Sequence, residues 1–189
     1  MKKIIALALC LVMLLGCTAA MAEAEAEKES LGVLKVIGAF DIKYSPLPNE
    51  YKVNVYMQND MTLIANITTT KAELPQMGLV IAFNDEWADT ERLNDVSDED
   101  MEAIKDSFFE EYDEVNFDTK ETKAGTKLLI AKIPGGQDAY IYTIYKGHEL
   151  EMHLIPGDEE GELNDADIER VVAFLSDIDF VPVETQVAD

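Results

Sequence analysis

The stretch AYIYTIYKGHELEMHLI, Ala139 to Ile155, decides the fold. Apolar and polar positions alternate on either side of Lys146-Gly147, the pattern of two half-buried strands joined by a tight turn. Counting outward from that turn sets Tyr145 opposite His148, Tyr142 opposite Glu151 and Tyr140 opposite His153. Successive side chains on a strand point to opposite faces. Ala139, Ile141, Leu150, Met152 and Leu154 therefore share one face, read as the core side. Tyr140, Tyr142, Glu149, Glu151 and His153 share the other, read as a solvated face with ordinary cross-strand pairs.

Working outward, Lys127 to Ile133 adds a third strand through the turn Pro134-Gly135-Gly136-Gln137-Asp138, a link short enough for an antiparallel neighbour. Leu79 to Phe83 is a short apolar strand. Val53, Val55 and Met57 alternate, as do Met61, Leu63, Ala65 and Ile67. A loop at Gln58-Asn59-Asp60 would set both apolar sets on one face of a hairpin. Phe40, Ile42 and Tyr44 alternate until Pro46 and Pro48 stop the run.

Two segments carry the helical period instead. Met101, Ile104, Phe108 and Tyr112 form one stripe over Asp98 to Tyr112, and Ile168, Val171, Val172 and Leu175 form another over Asp165 to Asp177. Each begins with the same device. Ser97 caps the first, with Asp100 at the third helical position and Val96 stapled to Met101. Asn164 caps the second, with Asp167 third and Leu163 stapled to Ile168. Asp at the third position replaces the usual Glu or Gln of a capping box. Asp95, Asp98, Glu99 and Asp100 suit the positive end of a helix dipole and are read as structural. The expected architecture is α+β: a single antiparallel sheet of about six to eight strands packed with two amphipathic helices.

The N-terminus has the order of an export signal: Lys2 and Lys3, an apolar run from Ile4 to Leu15, then small residues. The run is shorter than the roughly 20 residues that span a bilayer. Two processing sites compete. Ala20-Met21-Ala22 would release a chain starting at Glu23. Leu14-Leu15-Gly16-Cys17 resembles the bacterial lipobox, in which Cys17 becomes lipidated. The expected organisation is a signal over 1–22, or a lipoprotein signal ending before Cys17, then a flexible acidic leader over 23–33, one domain over 34–183, and a tail over 184–189. Both cysteines, Cys10 and Cys17, lie in the signal, so the body holds no disulfide, no Cys-ligated zinc and no Cys nucleophile. Loss of Lys2 and Lys3 takes the formal charge from −23 to −25. A body this acidic repels nucleic-acid phosphates and anionic membranes, which argues against nucleic-acid partners and leaves membrane attachment to a lipid on Cys17.

Three groups of residues bear on chemistry. Tyr140, Tyr142, Glu151 and His153 form a patch able to bind a small polar ligand or to act in acid–base chemistry. Trp87, in the polar loop Asn84-Asp85-Glu86-Trp87-Ala88-Asp89, is either a tucked anchor or an exposed binding aromatic, with the anchor favoured. The segment Asp158 to Ile168 resembles an EF-hand or dockerin calcium loop, with Gly161 at the turn position and Asp158, Glu160 and Asp167 at ligand positions. Pro156 stands where the first ligand belongs, and the helix cap explains Asn164 and Asp167 without a metal, so calcium is a minor expectation. There is no G-x-S-x-G, P-loop or G-x-G-x-x-G.

The layout as a whole has a likeness. It runs from Phe40-Asp41-Ile42 and Pro46-Leu47-Pro48, through an acidic capped helix and Glu121-Thr122-Lys123-Ala124-Gly125-Thr126-Lys127-Leu128-Leu129, to the meander and a helix led by Leu163-Asn164-Asp165-Ala166-Asp167. Over residues 36–180 it resembles small uncharacterised exported proteins of anaerobic Gram-positive bacteria, whose layout is similar to the PsbP/DcrB-like α/β sandwich. That resemblance implies an accessory or binding role. The expectation is a monomeric, non-catalytic binding module of the cell envelope or exterior, with a protein or small-molecule partner and no cofactor. The alternative is an extracytoplasmic hydrolase or metal-dependent enzyme using His153 and nearby carboxylates. It requires a concave pocket that holds His153 and a carboxylate with a perturbed pKa.

Overall fold

The computed structural model describes residues 32–37, 39–44, 51–136, 138–157, 161–176 and 179–182. The segment read as an export signal, with Cys17, and residues up to 31 lie outside them, as do Asp158, Glu160 and residues 183–189. Among the described residues, ten strands and two α-helices follow one another, with two short 3-10 turns between β5 and α1: β1 (Gly32–Val36), β2 (Phe40–Tyr44), β3 (Tyr51–Gln58), β4 (Thr62–Thr69), β5 (Gln76–Phe83), α1 (Asp98–Phe108), β6 (Asn116–Glu121), β7 (Lys127–Lys132), β8 (Ala139–Tyr145), β9 (His148–Ile155), α2 (Asp165–Ser176) and β10 (Asp179–Pro182). Seven strands form an antiparallel sheet in the order β3-β4-β5-β9-β8-β7-β6. The β8–β9 register sets Tyr145, Tyr142 and Tyr140 opposite His148, Glu151 and His153. Lys146 and Gly147 take φ of 49° and 73°, the left-handed pair that a two-residue hairpin turn needs.

The α+β class holds, but the sheet is not single. β1, β2 and β10 form a second, three-stranded antiparallel sheet with β2 at its centre. Leu34, Val36, Phe40 and Ile42 from it join Leu63, Ile67, Leu79, Ile81, Ile141, Met152 and Leu154 in one core on the inner face of the large sheet. β10 pairs with β2 across most of the chain, and no local pattern encodes so distant a partner.

The β3–β4 hairpin also departs from its expected form. Its loop is Asn59-Asp60-Met61, because the Asn59 side-chain oxygen accepts from the backbone N–H groups of Met61 (2.9 Å) and Thr62 (2.7 Å). A bulge between Val55 and Met57 then shifts the register, so Met57 stands opposite Ile64, and Val55 and Met57 are exposed.

The helices lie on opposite faces of the large sheet. α2 adds Ile168, Val171 and Val172 to the inner core, and Asp165 and Glu169 pair with Lys132 on β7 and Lys120 on β6. α1 covers the outer face, where Ile104 and Phe108 meet Leu129, Ala131, Tyr140, Tyr142 and Ile144. The outer face is therefore not a solvated surface at its centre: Tyr140 and Tyr142 are only 5% and 6% exposed. Tyrosine reads as polar in an alternation pattern, yet its ring buries as well as any apolar side chain.

Asp suffices in both helix caps. Ser97 Oγ accepts from the Asp100 N–H (3.1 Å) and donates to the Asp100 carboxylate (2.7 Å). Asn164 Oδ1 accepts from the Asp167 N–H (3.1 Å), and Asp167 accepts from the Asn164 N–H (3.2 Å). Ser97→Ala is expected to cost about 1 kcal/mol and to lower the melting temperature by about 2–4 °C. An unchanged melt would mean that packing alone holds α1.

Candidate functional site

The loop between β5 and α1 is pinned to the tip of the β8–β9 hairpin. Asn84 N–H donates to the Gly147 carbonyl (2.9 Å), Lys146 N–H to Glu91 (2.9 Å) and Gly147 N–H to Thr90 (3.0 Å). Gly147 is required twice, by its φ and by space. A Cβ there would lie 2.8 Å from Phe83 Cε2. This grip brings Trp87 over the outer face, beside α1.

Between α1, this loop and the sheet lies a cavity of about 350 Å³. Val80 and Ala82 of β5, Tyr140 and Tyr142 of β8, and Glu149 and Glu151 of β9 form its floor. Asp100, Ala103, Ile104, Ser107 and Phe108 of α1 form one wall, with Glu111 just beyond. Asn84, Glu86, Trp87 and Thr90 form the other wall. The volume falls within the range of small-molecule sites.

The polar groups of the cavity differ in how they are held. Glu149 Oε1 accepts two hydrogen bonds, from Trp87 Nε1 and the Tyr142 hydroxyl, both at 2.9 Å. Trp87 is thereby both a half-buried anchor and a lining residue. Burial pushes the Tyr142 hydroxyl well above its usual pKa, and the Glu149 carboxylate beside it adds to the rise. Tyr140 is hydrogen-bonded to the Tyr112 hydroxyl, and burial followed by that bond pushes its pKa far up. Both phenols stay protonated. Glu151 differs: its Oε1 is sealed from solvent and has no hydrogen-bond partner. Burial first, then the charges of Glu149 and Glu111, raise its pKa to about 7.

Of the residues singled out from the sequence, Trp87, Tyr140, Tyr142 and Glu151 line this one cavity, and His153 does not. His153 stacks flat on Tyr140, with centroids 4.4 Å apart and planes 3° apart, and its Nε2 lies 2.5 Å from Asp138 Oδ1. It braces the back of the floor. His148 is buried on the inner face, with Phe40 and Phe83 edge-on to it and Nδ1 2.8 Å from the Lys146 carbonyl. Asp167, the one described member of the calcium set, spends its carboxylate on the Asn164 cap. Among the described residues no group of three or more His, Cys, Asp or Glu could hold a metal ion.

Glu149 and the α1 residues were missing from the residues first singled out. The period of two placed Glu149 on the right face, but its role as a shared acceptor depends on Trp87, 62 residues earlier. No family model matches the chain, and neither a curated protein nor a solved structure does.

Proposed function

We propose that the protein is an extracytoplasmic binding or accessory module that holds a small ligand, without transforming it, between α1 and the outer face of the large sheet. One observation carries this reading: a formed cavity of about 350 Å³ whose floor holds a buried carboxylate oxygen with no partner. The likeness to exported proteins of PsbP/DcrB-like layout supports the same role, and the signal-like N-terminus supports the compartment. The chain acts as a monomer in this reading.

An extracytoplasmic hydrolase is the second reading, because Glu151 titrates near neutrality inside a cavity. Its other required group, His153, is held against Asp138 behind Tyr140 and outside the cavity. Binding is the better supported.

The test fills the cavity. Ala103 is an exposed lining residue of α1, so Ala103→Phe should fold with an unchanged circular dichroism spectrum and melt. Trp87 is the only tryptophan, and its fluorescence reports on the wall it forms. In a library of small amines, alcohols, acids and sugars, compounds that perturb Trp87 in the unmodified chain should lose about ten-fold or more in affinity in Ala103→Phe. Compounds that bind both chains equally would place the ligand site elsewhere.

A further inference from the structure

The chemistry of the lining selects a class of ligand, given the reading that this cavity is the binding site. Five carboxylates line it, from Glu86, Asp100, Glu111, Glu149 and Glu151, and its described lining contains no Lys, Arg or His. An anion would enter without a counter-charge, while a cation is drawn in by the lining and by the net charge of −23 on the chain.

The carboxylates are not equivalent. Glu149 Oε1 already takes two donors, whereas the sealed Oε1 of Glu151 takes none. A buried acceptor without a donor is unfavourable, and a turn of the Glu151 carboxyl that opens this oxygen to the cavity lets a ligand supply one. The missing donor is an N–H or O–H. An ammonium that carries hydrogens fits better than a quaternary one, which has charge and no donor. Four of the other lining residues are aromatic, among apolar and hydroxyl or amide side chains. Trp87, Tyr142 and Phe108 offer faces and edges to a hydrocarbon body and to the cation. Asp100 and Glu111 at the α1 rim are exposed and add attraction at the entrance.

We infer that the cavity binds a small primary organic amine, its ammonium donating to Glu151 within reach of Glu149 and its hydrocarbon body lying against Trp87, Tyr142 and Phe108. The oxygen of Glu149 keeps Trp87 and the Tyr142 hydroxyl in place, so the amine meets a preorganised wall. The free N–H groups turn toward the remaining carboxylates of the lining.

The experiment titrates the full chain at pH 8 with 2-phenylethylamine, its N,N,N-trimethyl derivative and 2-phenylethanol, read by Trp87 fluorescence. The expected order is amine, then trimethyl derivative, then alcohol, with the amine at least about ten-fold tighter than the alcohol. Glu151→Gln should weaken the amine about ten-fold and the alcohol by about three-fold or less, because glutamine keeps an acceptor oxygen and loses only the charge. Glu111→Gln, at an exposed position, should weaken the amine about two- to three-fold and leave the alcohol unchanged. Equal binding of amine and alcohol, indifferent to both substitutions, would overturn the amine inference and leave the cavity standing as a binding site. Tighter binding of the trimethyl derivative than of the amine would overturn the donor role given to Glu151. No response to any of the three probes would count against the amine inference and against the cavity itself.

Discussion

Above pH 7, a Glu151→Gln chain is expected to be more stable than the unmodified one by about 3 kcal/mol, with the difference gone near pH 4.5. The sign follows from the raised pKa. Glu151 titrates at about 7 in the folded protein against 4.5 for an ordinary glutamate. Between those values the folded state keeps a proton that the unfolded state releases. The favourable contribution is complete below pH 4.5, declines as pH rises, and is exhausted above 7. The difference between 4.5 and about 7 corresponds to about 3 kcal/mol.

The groups that face Glu151 are Glu149 on its own strand, Tyr142 opposite it on β8, Val80 opposite it on β5 and Glu111 beyond α1. Among these no cation offsets the buried charge. Glutamine has no charge to bury, so its curve loses this component. Urea unfolding of both chains at pH 5 and pH 8 measures the effect. A difference that is the same at both values would mean that the Glu151 carboxyl is solvated, which would also weaken the case for an unmet acceptor in the cavity.

Phe108→Ala should destabilise the protein by about 3–5 kcal/mol and open the roof of the site. Phe108 is 9% exposed and is one of the two buried apolar residues by which α1 meets the sheet, the other being Ile104. Its ring meets Phe117 edge-on at 5.7 Å and Tyr140 at 5.6 Å. The sheet beneath is fixed by ladder hydrogen bonds on both sides, so it cannot rise to fill the space. Most of the cavity cost should therefore remain. Phe109 is the control: it is 49% exposed and touches only the edge of this cluster, through Phe117 at 5.9 Å. Phe109→Ala should cost about 1 kcal/mol or less. Equal losses at the two positions, measured by urea unfolding, would mean that α1 is not seated by Phe108. Trp87 emission should shift to the red in Phe108→Ala alone, because only that change wets the cavity wall.

Much of this site was legible as chemistry before it was legible as a place. The alternation through Ala139–Ile155, together with the Lys146-Gly147 turn, put Tyr140, Tyr142, Glu149, Glu151 and His153 on one face, and the observed register agrees residue for residue. The helix starts were equally local, since Ser97 with Asp100 and Asn164 with Asp167 cap within three positions. Trp87 was visible as an unusual aromatic in a polar loop. What could not be read was the partner each of these groups meets. Glu149 and Trp87 are joined by a bond across 62 residues, and Glu151 is unusual because it is buried beside the charges of Glu149 and Glu111.

The chain's own residue order determined the strands of the meander, both helices with their caps and the pairing of β8 with β9. Each depends on neighbours within a few positions, where backbone geometry and side-chain period act directly. Tertiary structure alone decided that α1 and α2 lie on opposite faces, that β1, β2 and β10 form a second sheet, and that the tyrosine face is covered. Those outcomes depend on burying apolar stripes against distant surfaces, a drive that has no direction along the chain. The same covering turned a row of alternating polar residues into a cavity, because burial rather than residue type raises the pKa of Glu151 and leaves its oxygen without a donor.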